Sequence, residues 1–135
     1  MLRLLLDANV NPAAAQEVRK HRPECEITTL RDWRGGQYLD EHDDGVILAR
    51  AHEDGLTLLT RDISTIYPLV VEWDAEEWVH GGVVFVDDRT IAQRDVGGLV
   101  QAVIQLWDEE HEIDWQDRTT FLRRPTKGEE IRRPR

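Results

Sequence analysis

Three aspartates of this chain sit where the elements of a small α/β sheet should begin or end. Asp7 closes the apolar run Leu4-Leu5-Leu6. Asp62 follows the run Leu56-Thr57-Leu58-Leu59-Thr60. Asp44 opens the helical segment Gly45–His52, inside the acidic stretch Asp40-Glu41-His42-Asp43-Asp44. Carboxylates drawn together from separate elements repel one another, and each raises the others' pKa unless a cation joins them. A hard divalent ion that prefers oxygen ligands, such as Mg²⁺, relieves that repulsion most simply.

Each acid also has a plainer role. Asp7 could cap nearby backbone amides in a turn, a task Asn9 could share. Asp62 could N-cap the helix that follows it. Among Asp40, Glu41 and Asp43, one should cap the helix and the others stay solvated; Asp44 is the first candidate for the site and Asp43 the next. Asp87 and Asp88 follow a later apolar run and reach the same edge, as turn residues or as further ligands. The histidines (21, 42, 52, 80 and 111) lack metal-ligand spacing and read as surface residues. With two Phe and two Tyr in the chain, its five Trp read as core. The chain contains no G-x-x-x-x-G-K-[ST], no G-x-G-x-x-G and no G-x-S-x-G, which argues against nucleotide-binding and serine-hydrolase chemistry.

The elements that must position these acids follow from the pattern of apolar residues. Leu2–Leu6, Cys25–Leu30, Leu56–Thr60 and Val83–Val86 read as strands, with Thr119–Leu122 as a last one. Asn11-Pro12 announces a helix over Pro12–His21, with Asn as cap and Pro at the first position. Arg19, Lys20 and His21 lie at its negative pole, and Pro23 stops it. A second helix starts at Asp44, with Gly55 as its C′ residue. A third lies within Thr65–Trp78, with Pro68 in its first turn. A fourth, Asp95–Glu110, presents Leu99, Val100, Val103, Ile104, Leu106 and Trp107 on one face. Alternating strands and helices predict an α/β fold with a mainly parallel sheet and right-handed crossovers. Such a sheet puts Asp7, Asp62 and the start of the Asp44 helix at one edge, where α/β sheets bind ligands.

A chain of 135 residues holds one domain, residues 1–124, followed by a basic tail, residues 125–135. The net charge of −10 is uneven. Residues 118–135 hold seven Lys/Arg against two acids, so residues 1–117 carry −15. The body therefore lacks the basic face of a nucleic-acid binder, and only the tail could supply one. The single cysteine, Cys25, excludes an internal disulfide and a cysteine metal cage. With no apolar run long enough for a membrane span or a signal peptide, a cytoplasmic protein is expected.

Placed in order, these segments resemble the PIN-like domain family, in the short branch found in toxin–antitoxin pairs. Leu5-Leu6-Asp7-Ala8-Asn9 resembles the opening strand with its D-x-N. Asp43-Asp44-Gly45-Val46-Ile47-Leu48-Ala49 resembles the acid-led second helix, and Gly55-Leu56-Thr57-Leu58-Leu59-Thr60-Arg61-Asp62 the G-x-x-L-x-T-x-D strand. Gly82–Val86 and Trp115–Leu122 resemble the later strands. The likeness spans about residues 2–122.

The resemblance implies a three-layer α/β/α fold and a Mg²⁺- or Mn²⁺-dependent ribonuclease. It places Asp7, Asp44 and Asp62 as catalytic, metal-binding acids, supported by Asn9 and Thr60. Many members carry a further acid two residues after the last of these aspartates; here that position is Ser64. A fourth ligand is then missing, or comes from Asp43 or Asp87/Asp88. The implied partners are an RNA substrate and a small antitoxin protein, with a homodimer as a common assembly and no membrane. Arg61 could steady a phosphate or pair with a neighbouring acid. A receiver-like domain shares an Asp after strands one and three. It also needs an acid beside the first Asp and a lysine after the last strand, whereas Ala8 and Asn9 follow Asp7 and Lys127 lies in the tail. The other alternative is a catalytically silent PIN-like binding module.

Overall fold

Leu4 and Leu6 point to one side of their strand and Leu5 to the other, yet all three are buried. A strand that is apolar on both faces must lie inside a sheet covered on both sides. The computed structural model, which describes residues 1–126, has that arrangement. The strands are β1 (Leu4–Leu6), β2 (Ile27–Thr29), β3 (Thr57–Thr60), β4 (Val83–Phe85) and β5 (Thr119–Phe121). The helices are α1 (Ala13–His21), α2 (Asp44–Glu53), α3 (Ile63–Ala75) and α4 (Val96–Glu110). All five strands are parallel, in the order β2-β1-β3-β4-β5. The order reverses between β1 and β3, which is the switch point where such sheets leave a crevice.

The register follows the alternation of side chains. Leu5 lies beside Leu58, and both face α2 and α3 with Val83 and Phe85. Leu4, Leu6, Leu59, Val84 and Val86 face α1 and α4. The chain is thus a three-layer α/β/α sandwich with a core on each side of the sheet.

The placement of α4 departs from a uniformly right-handed winding. The β3-to-β4 and β4-to-β5 steps run in the same direction across the sheet, but α3 and α4 lie on opposite faces. The α4 crossover therefore has the opposite hand to the other three. Burial explains the exception. Were α4 on the α2/α3 side, α1 alone would cover the other face, and Val84, Val86 and Leu59 would meet water. Long connections before and after α4 relax the constraint that normally sets the hand.

Local signals placed most boundaries within a residue or two. Asn11 Oδ1 accepts from Ala13 N–H at 3.0 Å, although α1 begins at Ala13 rather than Pro12. Gly55 takes a left-handed conformation (φ 69°) after α2, as a C′ residue does. Pro68 is the sixth residue of α3, not part of its first turn. The helix starts earlier than expected because Asp62 caps it, and burial of Ile66, Val70 and Trp73 carries it past the proline. Among the described residues, no helix is long and apolar enough to cross a membrane. The first tail residues touch the body: Thr126 N–H donates to Gln105 Oε1 at 2.9 Å. The basic stretch from Lys127 onward lies outside the described residues.

Candidate active site

Parallel strands end together, so Asp7 after β1 and Thr60 at the end of β3 are neighbours at the switch point. The backbone ladder continues through them: Asp7 N–H donates to Leu59 O at 2.9 Å. Thr60 has no exposed surface, and its hydroxyl donates to Asp7 Oδ2 at 2.7 Å. Thr60 Oγ1 itself accepts from Asp62 N–H at 3.1 Å and from Asn9 Nδ2 at 3.3 Å. Asn9 Oδ1 in turn accepts from Arg61 N–H at 3.0 Å. Asp7 Oδ1 accepts from Ala8 N–H at 2.8 Å. One buried hydroxyl thus ties the turns after β1 and β3 together and fixes the half-buried Asp7 carboxylate.

Asp62 acts as the N-cap of α3, its Oδ1 accepting from Thr65 N–H and from the Ser64 hydroxyl, each at 3.2 Å. The cap engages one oxygen only. The choice between Asp43 and Asp44 is made by the helix start. Asp43 is exposed and caps α2, its Oδ1 accepting from Gly45 N–H at 2.9 Å. Asp44 is half-buried and makes no side-chain hydrogen bond among the described residues. Its carboxyl is pushed up from the ordinary carboxylate value, first by burial and then by the charges of Asp7, Asp62 and Asp43. Three acids from three elements therefore act on one another across the edge. They are not drawn tight: Asp7, Asp44 and Asp62 do not bring ligand atoms within 4.8 Å of one another as a set. An open groove of about 520 Å³, lined by Glu41, His42, Asp43, Asp44, Gly45, Thr65 and Leu69, runs beside Asp44.

The other acids of this edge are engaged elsewhere. Asp87 pairs with Arg89 in a turn, at 2.8 Å, and that guanidinium holds its carboxyl down at about 2. Asp88 accepts from Arg61 Nη1 and Gln93 Nε2, both at 2.9 Å. Arg61 is 4% exposed and also donates to Ile91 O, so it fastens β3 to the loop before α4 and does not face the groove.

The surface reading of the histidines is overturned at one position. His80 is not a surface residue; it is fully buried. Its Nε2 lies 3.5 Å from Asp74 Oδ1 and 3.9 Å from Asp117 Oδ1, without a hydrogen-bond partner among the described residues. Ligand atoms of Asp74, His80 and Asp117 all lie within 4.8 Å of one another, and the group could hold a metal ion. Spacing along the chain could not disclose it, because the three residues come from the end of α3, the approach to β4 and the approach to β5. The usable signal was Gly81-Gly82 after His80, which lets the chain pass close to Leu56 O and Trp115 O. Trp33, Trp73, Trp107 and Trp115 are core, as expected, whereas Trp78 is exposed.

Compared with known proteins, the chain matches no family model, no curated protein and no solved structure.

Proposed function

We propose that this protein is a Mg²⁺- or Mn²⁺-dependent ribonuclease of the PIN-like type, hydrolysing RNA phosphodiesters in the cytoplasm as the toxin of a toxin–antitoxin pair. The observation that carries the reading is that Asp7, Asp44 and Asp62 stand at one edge of the sheet, where burial and then the charges of Asp7, Asp62 and Asp43 push the Asp44 carboxyl up. Such a cluster of acids repels phosphate by itself, and Arg61, beside it, is committed to Asp88. A cation is what would reconcile the acids with an anionic substrate.

The donor set fits a hard ion. All three ligands are oxygens, and Mg²⁺ keeps much of its water while binding one or two carboxylates directly, so acids spread beyond 4.8 Å suit it. When bound, the ion would supply a water of lowered pKa and neutralise charge on the phosphate. The chain's part is to hold the donors. Thr60 and Ala8 N–H orient Asp7, the α3 cap orients Asp62, and Asp44 presents a carboxylate with no hydrogen-bond partner among the described residues. The groove beside Asp44 gives an RNA strand its approach. A basic segment of a small antitoxin protein would neutralise the same acids.

RNA cleavage by the purified protein with Mn²⁺, Mg²⁺ or EDTA tests the reading. Metal-dependent cutting that disappears in Asp7→Asn is the expected result. A folded Asp7→Asn variant that cuts at the wild-type rate would sink the assignment. The second reading, a silent PIN-like binding module, draws on Ser64 in place of an acid and on the spread of the carboxylates. It predicts no cutting by wild-type protein, and no thermal stabilisation by mM Mg²⁺ or Mn²⁺ beyond a general salt effect.

A further inference from the structure

The edge opposite the proposed active site holds a second constellation. His80 and Asp117 lie just before β4 and β5, and Asp74 lies in the last turn of α3, which runs back along the sheet. Their loops are cross-linked: His80 N–H donates to Asp117 Oδ1 and Asp117 N–H donates to His80 O, both at 2.9 Å. Asp117 is held there with a left-handed backbone (φ 61°), a conformation that asparagine and aspartate adopt more readily than most residues. Gly82 N–H donates to His80 Nδ1 at 3.0 Å and sets the ring so that Nε2 faces the two carboxylates. That nitrogen is buried and unpartnered, whereas the Asp74 and Asp117 side chains are 52% and 41% exposed. A buried ring nitrogen thus faces two exposed carboxylates.

We propose that Asp74, His80 and Asp117 form a cation site for a first-row transition ion such as Zn²⁺, which staples the end of α3 to the loops entering β4 and β5. Imidazole with carboxylates suits such ions better than Mg²⁺. A tetrahedral ion with bonds of about 2.1 Å sets its donor atoms about 3.4 Å apart. The Asp74–His80 separation of 3.5 Å already meets that spacing, and Asp117 Oδ1, which also accepts from His80 N–H, lies slightly farther at 3.9 Å. Three protein ligands leave a position open to water.

The proton on the ring must be accounted for. With Gly82 N–H donating to Nδ1, neutral His80 carries its proton on Nε2. Loading the ion moves that proton to Nδ1, with no change in the number bound. Gly82 N–H must then leave Nδ1. The Gly81–Gly82 peptide lies between two residues without side chains, and its turning brings Gly81 O to the new Nδ1–H. Thr57, whose hydroxyl now donates to Gly81 O at 2.7 Å, can accept from Gly82 N–H instead.

The test is a Zn²⁺ titration of the full chain in the Asp7→Asn background, which separates this site from the opposite edge. Saturable binding of a single Zn²⁺ is expected, weakened at least about tenfold by adding Asp74→Asn, since even outer partners of a metal site are worth about 10–100-fold. Asp74 is exposed at a helix end, so this variant folds. NMR of the His80 ring nitrogens should show the proton on Nδ1 in the loaded protein. Absence of saturable binding, equal affinity with Asp74→Asn, or an Nε2–H ring in the presence of Zn²⁺ would each overturn the proposal. None of these outcomes bears on RNA cleavage at the Asp7 edge.

Discussion

The Thr60 hydroxyl donates to Asp7 Oδ2 at 2.7 Å from a side chain with no exposed surface. It joins the ends of two neighbouring strands at the point where the sheet order reverses. Its single proton goes to Asp7, and its lone pairs take the N–H of Asp62 and the amide of Asn9. Thr60→Val keeps the shape and removes all three contacts. Leaving buried polar groups without partners costs about 1–3 kcal/mol. The expected result is that loss in chemical denaturation, together with cation-dependent cleavage reduced about 10–100-fold, as for other groups that orient a metal ligand. Thr60→Ser should restore most of both.

Asp44 offers a test in the opposite direction. Its carboxyl is raised by burial and by Asp7, Asp62 and Asp43, so the folded state holds its proton more tightly than the unfolded chain does. Stability is then lost as pH rises through the carboxylate range. Asp44→Asn should therefore melt at a higher temperature than wild type at neutral pH in EDTA, and the gain should shrink as the pH falls. The same variant should lose cleavage and any stabilisation by Mg²⁺. Thermal melts across pH, with and without the ion, separate the two effects.

Ser64 stands at the second position of α3, exposed, and its hydroxyl donates to Asp62 Oδ1. A carboxylate there is favoured by the helix N-terminus and adds an oxygen ligand beside Asp62. Ser64→Asp should tighten Mn²⁺ binding several-fold while leaving the melting temperature in EDTA near wild type. Unchanged affinity in a calorimetric titration would show that position 64 lies out of reach of the ion.

Asp54 governs a pH dependence remote from the site. It takes a two-pronged bond from Arg34, at 2.8 and 2.9 Å, and the indole N–H of Trp33 at 2.7 Å. The Arg34 guanidinium, ahead of Trp33, lowers its carboxyl to about 2. Because the folded value is depressed, its stabilisation is complete above the ordinary carboxylate range and is lost as pH falls toward 2. Asp54→Asn should be less stable than wild type at neutral pH, and the two should converge in acid. Denaturation midpoints at neutral pH and near pH 3 check it. The pair also anchors the turn at Arg34, Gly35 and Gly36, where φ is positive at all three residues.

Much of this arrangement could be read before any tertiary structure. The runs Leu4–Leu6, Thr57–Thr60 and Val83–Phe85 are apolar on both faces because both faces are covered, and the intervening helices show their caps and apolar stripes. Alternation of the two makes the sheet parallel, and parallel strands bring Asp7 and Asp62 to one edge whatever else the chain does. Asp62 turned out to cap α3, and the cap engages one of its carboxylate oxygens only.

What stayed hidden depended on residues far apart in the chain. Asp43 and Asp44 are adjacent and chemically identical, and only the direction of the α2 axis against the sheet turns one outward and the other toward Asp7. The opposite hand of the α4 crossover answers a requirement of the whole sheet, that Val84 and Val86 be covered, which no local pattern states. His80 is the clearest case. The carboxylates it faces come from another element on one side and from Asp117 far along the chain on the other, and its burial arises only when α3 ends, β4 begins and β5 enters at one point. Short-range order, set by periodicity and capping, was written in the sequence by itself. The partners of each polar group were decided by packing, because a buried polar atom is placed by the sum of contacts that close around it.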